Sequence, residues 1–173
     1  MDATLSEAIK EAYASAPSDE VIYHTLEIWH ANFTTPIYVV RDFADLNATI
    51  EAGAARNAST EVTFVGFAFD IVPPEVDSAG VPQGVLEIDN VSREILANIE
   101  AAMGSTSAIS VIYRAYLSSD LAAPENNPPY ELQIMSITAD PFKVRATFGW
   151  PSLANVKFPR VDYDAETFPG LIP

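Results

Sequence analysis

The 173-residue sequence has no cysteine, two histidines, seven glycines and nine basic residues. Without a thiol there is no disulfide, no thiolate nucleophile and no sulfur-ligated zinc or iron–sulfur site, so stability must come from packing and from partners. The glycines form neither Gly-x-Gly-x-x-Gly nor a Gly-Lys-Ser/Thr element, which excludes the glycine-rich phosphate loops. Nine Lys and Arg stand against 24 Asp and Glu, a formal net charge of -15, and that sign opposes tight binding to a nucleic-acid backbone. No run approaches the roughly 18 consecutive apolar residues of a membrane span, so no membrane insertion is expected. The start Met1-Asp2-Ala3-Thr4 lacks the basic flank of a secretion signal, which predicts folding in a cytoplasm.

What is present is apolar: 49% of residues are hydrophobic and 19% charged, a composition that argues against disorder and for one packed core. The whole chain, 1–173, reads as a single domain. The stretch Gly84–Ile95 organises it, because an alternating strand (Val85, Glu87 and Asp89 opposite Leu86, Ile88 and Asn90) runs straight into a helix start. That helix buries Ile95, Leu96, Ile99 and Met103 until Gly104, with Asp89, Asn90 or Ser92 as its cap. A second helix is expected over 3–15 within the segment 1–17, capped by Thr4 with Glu7 three residues on. Leu5, Ile9, Ala12 and Tyr13 share its face, and Pro17 ends it.

Period-two patterns predict strands over Val21–His30, Pro36–Arg41, Ile109–Leu117, Tyr130–Thr138 and Phe142–Trp150. The first two read as a hairpin, as do the last two over Ala139-Asp140-Pro141. Phe142, Val144, Ala146, Phe148 and Trp150 are expected inward. Glu61–Val72 reads as one strand apolar on both faces, whereas Asp42–Ser59 is weakly patterned and reads as a loop with a short strand or turn. Paired prolines make 73–82 a connection, and the proline- and aromatic-rich segment 151–173 reads as an extended arm that docks on the body or a neighbour. The expectation is a mainly β fold, a single antiparallel β-barrel or sandwich of about seven strands, with two flanking helices.

Candidate chemistry is sparse. His24 and His30 share a strand face but lie roughly 20 Å apart, too far for one metal, and read as half-exposed strand positions. Glu75 and Asp77, with Glu87 and Asp89, are acidic pairs of a kind that can bind calcium, but without defined ligand spacing solvated loops are the default. Ser118-Ser119-Asp120 has no glycine-framed turn and no placed histidine. Tyr23, Trp29, Tyr38, Tyr113 and Tyr116 suit a stacking face for sugars or bases, though core and interface positions are the commoner use. No catalytic residue, cofactor or metal ligand is predicted.

Four motifs in order, Leu5–Pro17, Ile88–Ile95, Tyr113–Asp120 and Phe168-Pro169-Gly170-Leu171, resemble a family of uncharacterised proteins from the tail genes of long-tailed bacteriophages and prophages. The central motif also resembles one in minor tail proteins of the tail tip. The resemblance implies a non-enzymatic virion protein of distal-tail or upper-hub type. Such proteins assemble in the host bacterial cytoplasm as a three-fold or six-fold homo-oligomeric ring around the DNA channel. Its partners would be the tube, the tape measure and the hub or fibre. A tail terminator or connector ring, a host carbohydrate-binding module, and a hydrolase from the same gene neighbourhood, weakened by the missing constellation of polar groups, are the alternatives. Arg93, Glu94, Phe158, Tyr163, Phe168 and Leu171 are the expected interface residues.

Overall fold

A computed structural model of the chain describes residues 5–15, 20–72, 83–89, 102, 105, 107–140 and 143–150. Helix α1 (Glu7–Ser15) is followed by β1 (Ile22–Trp29), β2 (Ile37–Val40), β3 (Leu46–Thr49), β4 (Glu61–Gly66) and β5 (Phe69–Val72). Then come β6 (Gln83–Asp89), β7 (Ser110–Leu117), β8 (Tyr130–Asp140) and β9 (Lys143–Gly149). The chain is thus mainly β, and the nine strands among the described residues form one open sheet in the order β3-β4-β2-β1-β7-β8-β9-β6-β5.

The sheet is mixed rather than antiparallel, because β2 and β4 run parallel, with Val39 opposite Val65 and Val40 opposite Gly66. Between them the chain crosses over and returns as β3, which pairs antiparallel with the far side of β4. That crossover explains two departures from the expected seven strands. The weakly patterned 42–59 segment contains β3, and the 61–72 run is two strands broken after Gly66. A methyl group on Gly66 would stand 3.0 Å from Ala44 and from the Asp42 carbonyl, so the close approach of the crossing chain favours glycine there. The Asp45 carboxylate also accepts the Gly66 N–H at 2.9 Å, holding the crossing in place.

Strands β1 and β7 are central and buried on both faces, which is why their alternation does not separate inside from outside. One face gives Leu26, Ile28 and Val111 to the main core with Val39, Phe69, Leu86, Ile88, Leu132, Ala146 and Phe148. The other face gives Tyr116 to a second cluster with Val40, Leu46, Ala48, Ile50 and Phe64 beneath the β3–β4 hairpin. Helix α1 packs Ile9 and Ala12 on Ala115 and Leu117. Its cap is Ser6, whose Oγ accepts the Ile9 N–H at 3.2 Å and whose carbonyl accepts that of Lys10. Thr4, the expected cap, lies outside the described residues, and Tyr13, though 55% exposed, hydrogen-bonds Tyr113, which packs against the same cluster.

The β1–β2 and β8–β9 hairpins form as expected. Trp150 does not point into the core: it follows the end of β9 and is 40% exposed. In the organising stretch, β6 forms and buries Leu86 and Ile88. The expected helix after it lies outside the described residues, apart from Ala102, which is buried in the main core. Connection 73–82 and arm 151–173 also lie outside them, so one helix, not two, stands among the described residues beside an open sheet.

Candidate functional site

Three constellations bring polar or aromatic side chains together. The deepest is ionic. Arg114 of β7 is fully buried, and its Nη1 donates to Glu27 Oε2 of β1 at 2.8 Å. Its Nε and Nη2 grip the Glu51 carboxylate at 2.6 and 2.9 Å in the two-pronged geometry that guanidinium favours. Arg56 then donates to the other Glu27 oxygen at 2.8 Å and lies over the Trp29 ring at 5.0 Å. Two guanidinium groups thus balance two carboxylates, as buried charges require. Burial opposes the charge on Arg114, but the hydrogen bonds and charges of Glu51 and Glu27 outweigh it and raise its pKa. The cluster fastens the β3–β4 loop, with its left-handed Asn57 and Ser59, onto the central strands.

The second constellation is an aromatic row across the sheet. His24 stacks on Tyr113 at 6.0 Å between centroids, Tyr113 on Tyr130 at 5.8 Å, and Trp150 meets Tyr130 edge-on at 5.8 Å. His24 Nδ1 and the Tyr113 hydroxyl are 2.7 Å apart. Burial, and then the nearby Arg41 charge, lower the His24 pKa. Tyr113 is pushed well up by burial, with Tyr13 and Tyr130 adding to the shift. The Tyr113 and Tyr130 planes lie 14° apart, so the rings present faces to each other and edges to a visitor.

The third is a groove of about 380 Å³ between the crossing residues Arg41–Phe43 and the Phe67–Asp70 bend, with Glu87 at its end. Phe43 stands fully exposed on its rim. Arg41 pairs with Asp70 at 3.5 Å, both well exposed. Glu87 is held by Lys143 at 2.5 Å and Arg145 at 3.3 Å, and the Lys143 bond lowers its pKa.

The sequence-derived candidates fall as follows. His24 and His30 are not brought together, and His30 is buried rather than half-exposed. Its Nδ1 accepts the Asn32 N–H and its Nε2 lies 3.2 Å from the Ser107 carbonyl. Ser118, Ser119 and Asp120 form a turn, with Ser118 Oγ accepting the Val21 N–H, Ser119 donating to Glu20 and Asp120 accepting the Ala122 N–H. No three His, Asp or Glu side chains converge as a metal site among the described residues. Glu75, Asp77, Arg93, Glu94, Phe158, Tyr163, Phe168 and Leu171 lie outside those residues. Of the aromatics, Tyr116 is core and Tyr23 and Tyr38 pack beside it, while Tyr113 joins the row.

Sequence reasoning missed the ionic cluster. The available signal was that Arg114 shares its strand face with Ile112 and Tyr116, and Glu27 shares its own with Tyr23 and Trp29. A search of the curated proteins finds none that matches the chain. The sequence model of one family, DUF1833, described as a domain of unknown function, matches residues 8–163, from within α1 to beyond β9. Because that match takes in every strand and all three constellations, the chain belongs to the DUF1833 family.

Proposed function

We propose that this protein is a non-enzymatic structural subunit of a bacteriophage tail tip, of distal-tail or upper-hub type. It forms a ring between the tail tube and the hub or fibre, around the channel that DNA passes through. The observation that carries the reading is how the positive charge is spent. Each of the six basic side chains among the described residues is paired within the subunit: Lys10 with Glu7, Arg41 with Asp70, Arg56 and Arg114 with Glu27, and Lys143 and Arg145 with Glu87. Carboxylates therefore dominate the surface, which suits a lumen that passes DNA without holding its phosphates.

In this reading each subunit is a barrel left partly open at the outer edge of β5, with the bent β4–β5 chain as the joint. Two features support closure: Phe67 donates its N–H to the Val40 carbonyl at 2.9 Å, and one core cluster draws on β1 and β2 together with β5 and β6. The aromatic row favours interface and packing over sugar recognition, because its stacked faces are already occupied. The test is a reconstruction of the virion. This chain in a ring at the distal end, with an acidic lumen, is the expected result. A ring at the head-proximal end would assign a terminator or connector instead, and absence of the chain from tails would overturn the proposal.

A further inference from the structure

We infer that the groove beside β5 receives residues 155–161, Asn155-Val156-Lys157-Phe158-Pro159-Arg160-Val161, from a neighbouring copy of the chain. The inference rests on the ring reading above and names the surface that links its members. Strand β5 ends the sheet, so among the described residues no strand pairs with its far edge. Such an edge offers unpaired backbone groups to an incoming extended segment. Beside it, Phe43 stands bare at the rim while Phe67 and Phe69 line the groove.

Charge selects the segment. The chain has nine basic residues, and the six described ones are paired internally. Of the remaining three, Arg93, Lys157 and Arg160, two fall in this stretch, which has no acidic residue. The rim presents the Asp42 and Asp70 carboxylates, and the exposed 3.5 Å Arg41–Asp70 contact is one that a second cation can share. Val156 and Phe158 alternate with Lys157, so apolar side chains meet the phenylalanines while the amine meets the rim. Pro159 biases the segment towards an extended form and is tolerated on a sheet edge.

Direction selects the neighbour. Strand β9 ends at Gly149 opposite Gln83, the first residue of β6, whereas the groove lies by Glu87 near the other end of β6. The C-terminal end of β9 therefore lies at the opposite end of the β6 ladder from its own groove.

The absence of native cysteine makes the test direct. Full-length Ala68→Cys and Asn155→Cys variants, which keep the rim carboxylates, Phe158 and both cations, are distinguished by a tag, mixed and oxidised. The expected product is the mixed covalent dimer, reduced at least several-fold by Lys157→Glu with Arg160→Glu or by high salt. Folding of each variant is checked by circular dichroism. Three results would overturn the inference: no mixed dimer from folded variants, a dimer insensitive to the charge reversals, or a double variant that closes only within one copy on dilution. Incorporation of the wild-type chain into virions reads the tail-tip role separately, so either conclusion can fail while the other stands.

Discussion

Replacing Arg114 with methionine keeps the aliphatic stem and deletes the guanidinium that joins β1, β7 and the β3–β4 loop. Arg114 is fully buried and Glu27 is 1% exposed. In the variant Glu27 retains Arg56, while Glu51 loses its bonds at 2.6 and 2.9 Å. The site is left with one excess negative charge. Removing one partner of a buried ion pair costs about 3–5 kcal/mol, a large share of the roughly 5–15 kcal/mol that holds a domain together. For a chain of this size each kcal/mol moves Tm by about 2–4 °C, so the expected fall is roughly 6–20 °C. Adding Glu27→Met restores the charge balance, with Arg56 and Glu51 left to pair. The double variant should therefore recover about 0.5–3 kcal/mol relative to the sum of the singles. Urea titration and thermal melts of the four proteins measure this. An Arg114→Met variant within about 0.5 kcal/mol of the parent, or strict additivity, would show that the cluster does not bear on stability.

Asn126 is fully buried, accepting the Ala115 N–H at 2.9 Å and donating to the Tyr113 carbonyl at 3.0 Å. Asn126→Ala leaves both unmet and should cost about 1–3 kcal/mol in urea titration; an unchanged midpoint would contradict this. A Cβ at Gly84 would lie 2.5 Å from the Val72 carbonyl and 2.6 Å from the Phe148 ring. Gly84→Ala should accordingly lose about 1–3 kcal/mol by overpacking, read as a lowered Tm. Phe148→Ala, at a position with no exposure, should cost about 3–5 kcal/mol, whereas Trp150→Ala, 40% exposed, should cost clearly less; equal losses would mean that Trp150 packs inside. Burial raises the Tyr113 and Tyr116 pKa values; the nearby Arg114 charge partly offsets the rise at Tyr116, and Glu51 and Glu27 add to it. Their stabilising contribution is complete below the unfolded value of about 10 and is lost as pH rises above it. Phenolate absorbance followed with circular dichroism should show these two ionising only as the fold is lost. All seven tyrosines titrating together near pH 10 in a folded protein would refute it.

Strand positions were legible wherever one face met the core. Val144, Ala146 and Phe148 alternate against Lys143 and Arg145, and β9 buries and exposes them accordingly. The rule fails for β1 and β7, because the β3–β4 hairpin covers what would otherwise be the wet face. Glu27 and Arg114 then look like surface residues in the pattern although they are buried. Their partners Glu51 and Arg56 sit in a segment with neither period, where no local signal announces a long-range ion pair. Gly66 was a visible hint of a bend inside an apolar run, but the chain that crosses it comes from β2 and is not implied by the run itself. The groove combines that crossover with a sheet edge, so it could not be read before the topology was known.

The pairing of β1 with β7 also bears on how the protein is made. Glu27 and Arg114 are separated by 87 positions, and the whole β1–β7 ladder spans similar separations. At roughly 5–20 residues per second, β1 emerges from the ribosome roughly 4–17 seconds before its central neighbour exists. During that interval the β1 edge that β7 will cover stays open, and Glu27 at its centre has Arg56, made 29 residues later, as a cation but lacks Arg114. A charged side chain at the centre of an exposed strand disfavours pairing with a foreign strand, and the arrival of Arg114 completes the pairing that lets this edge be covered.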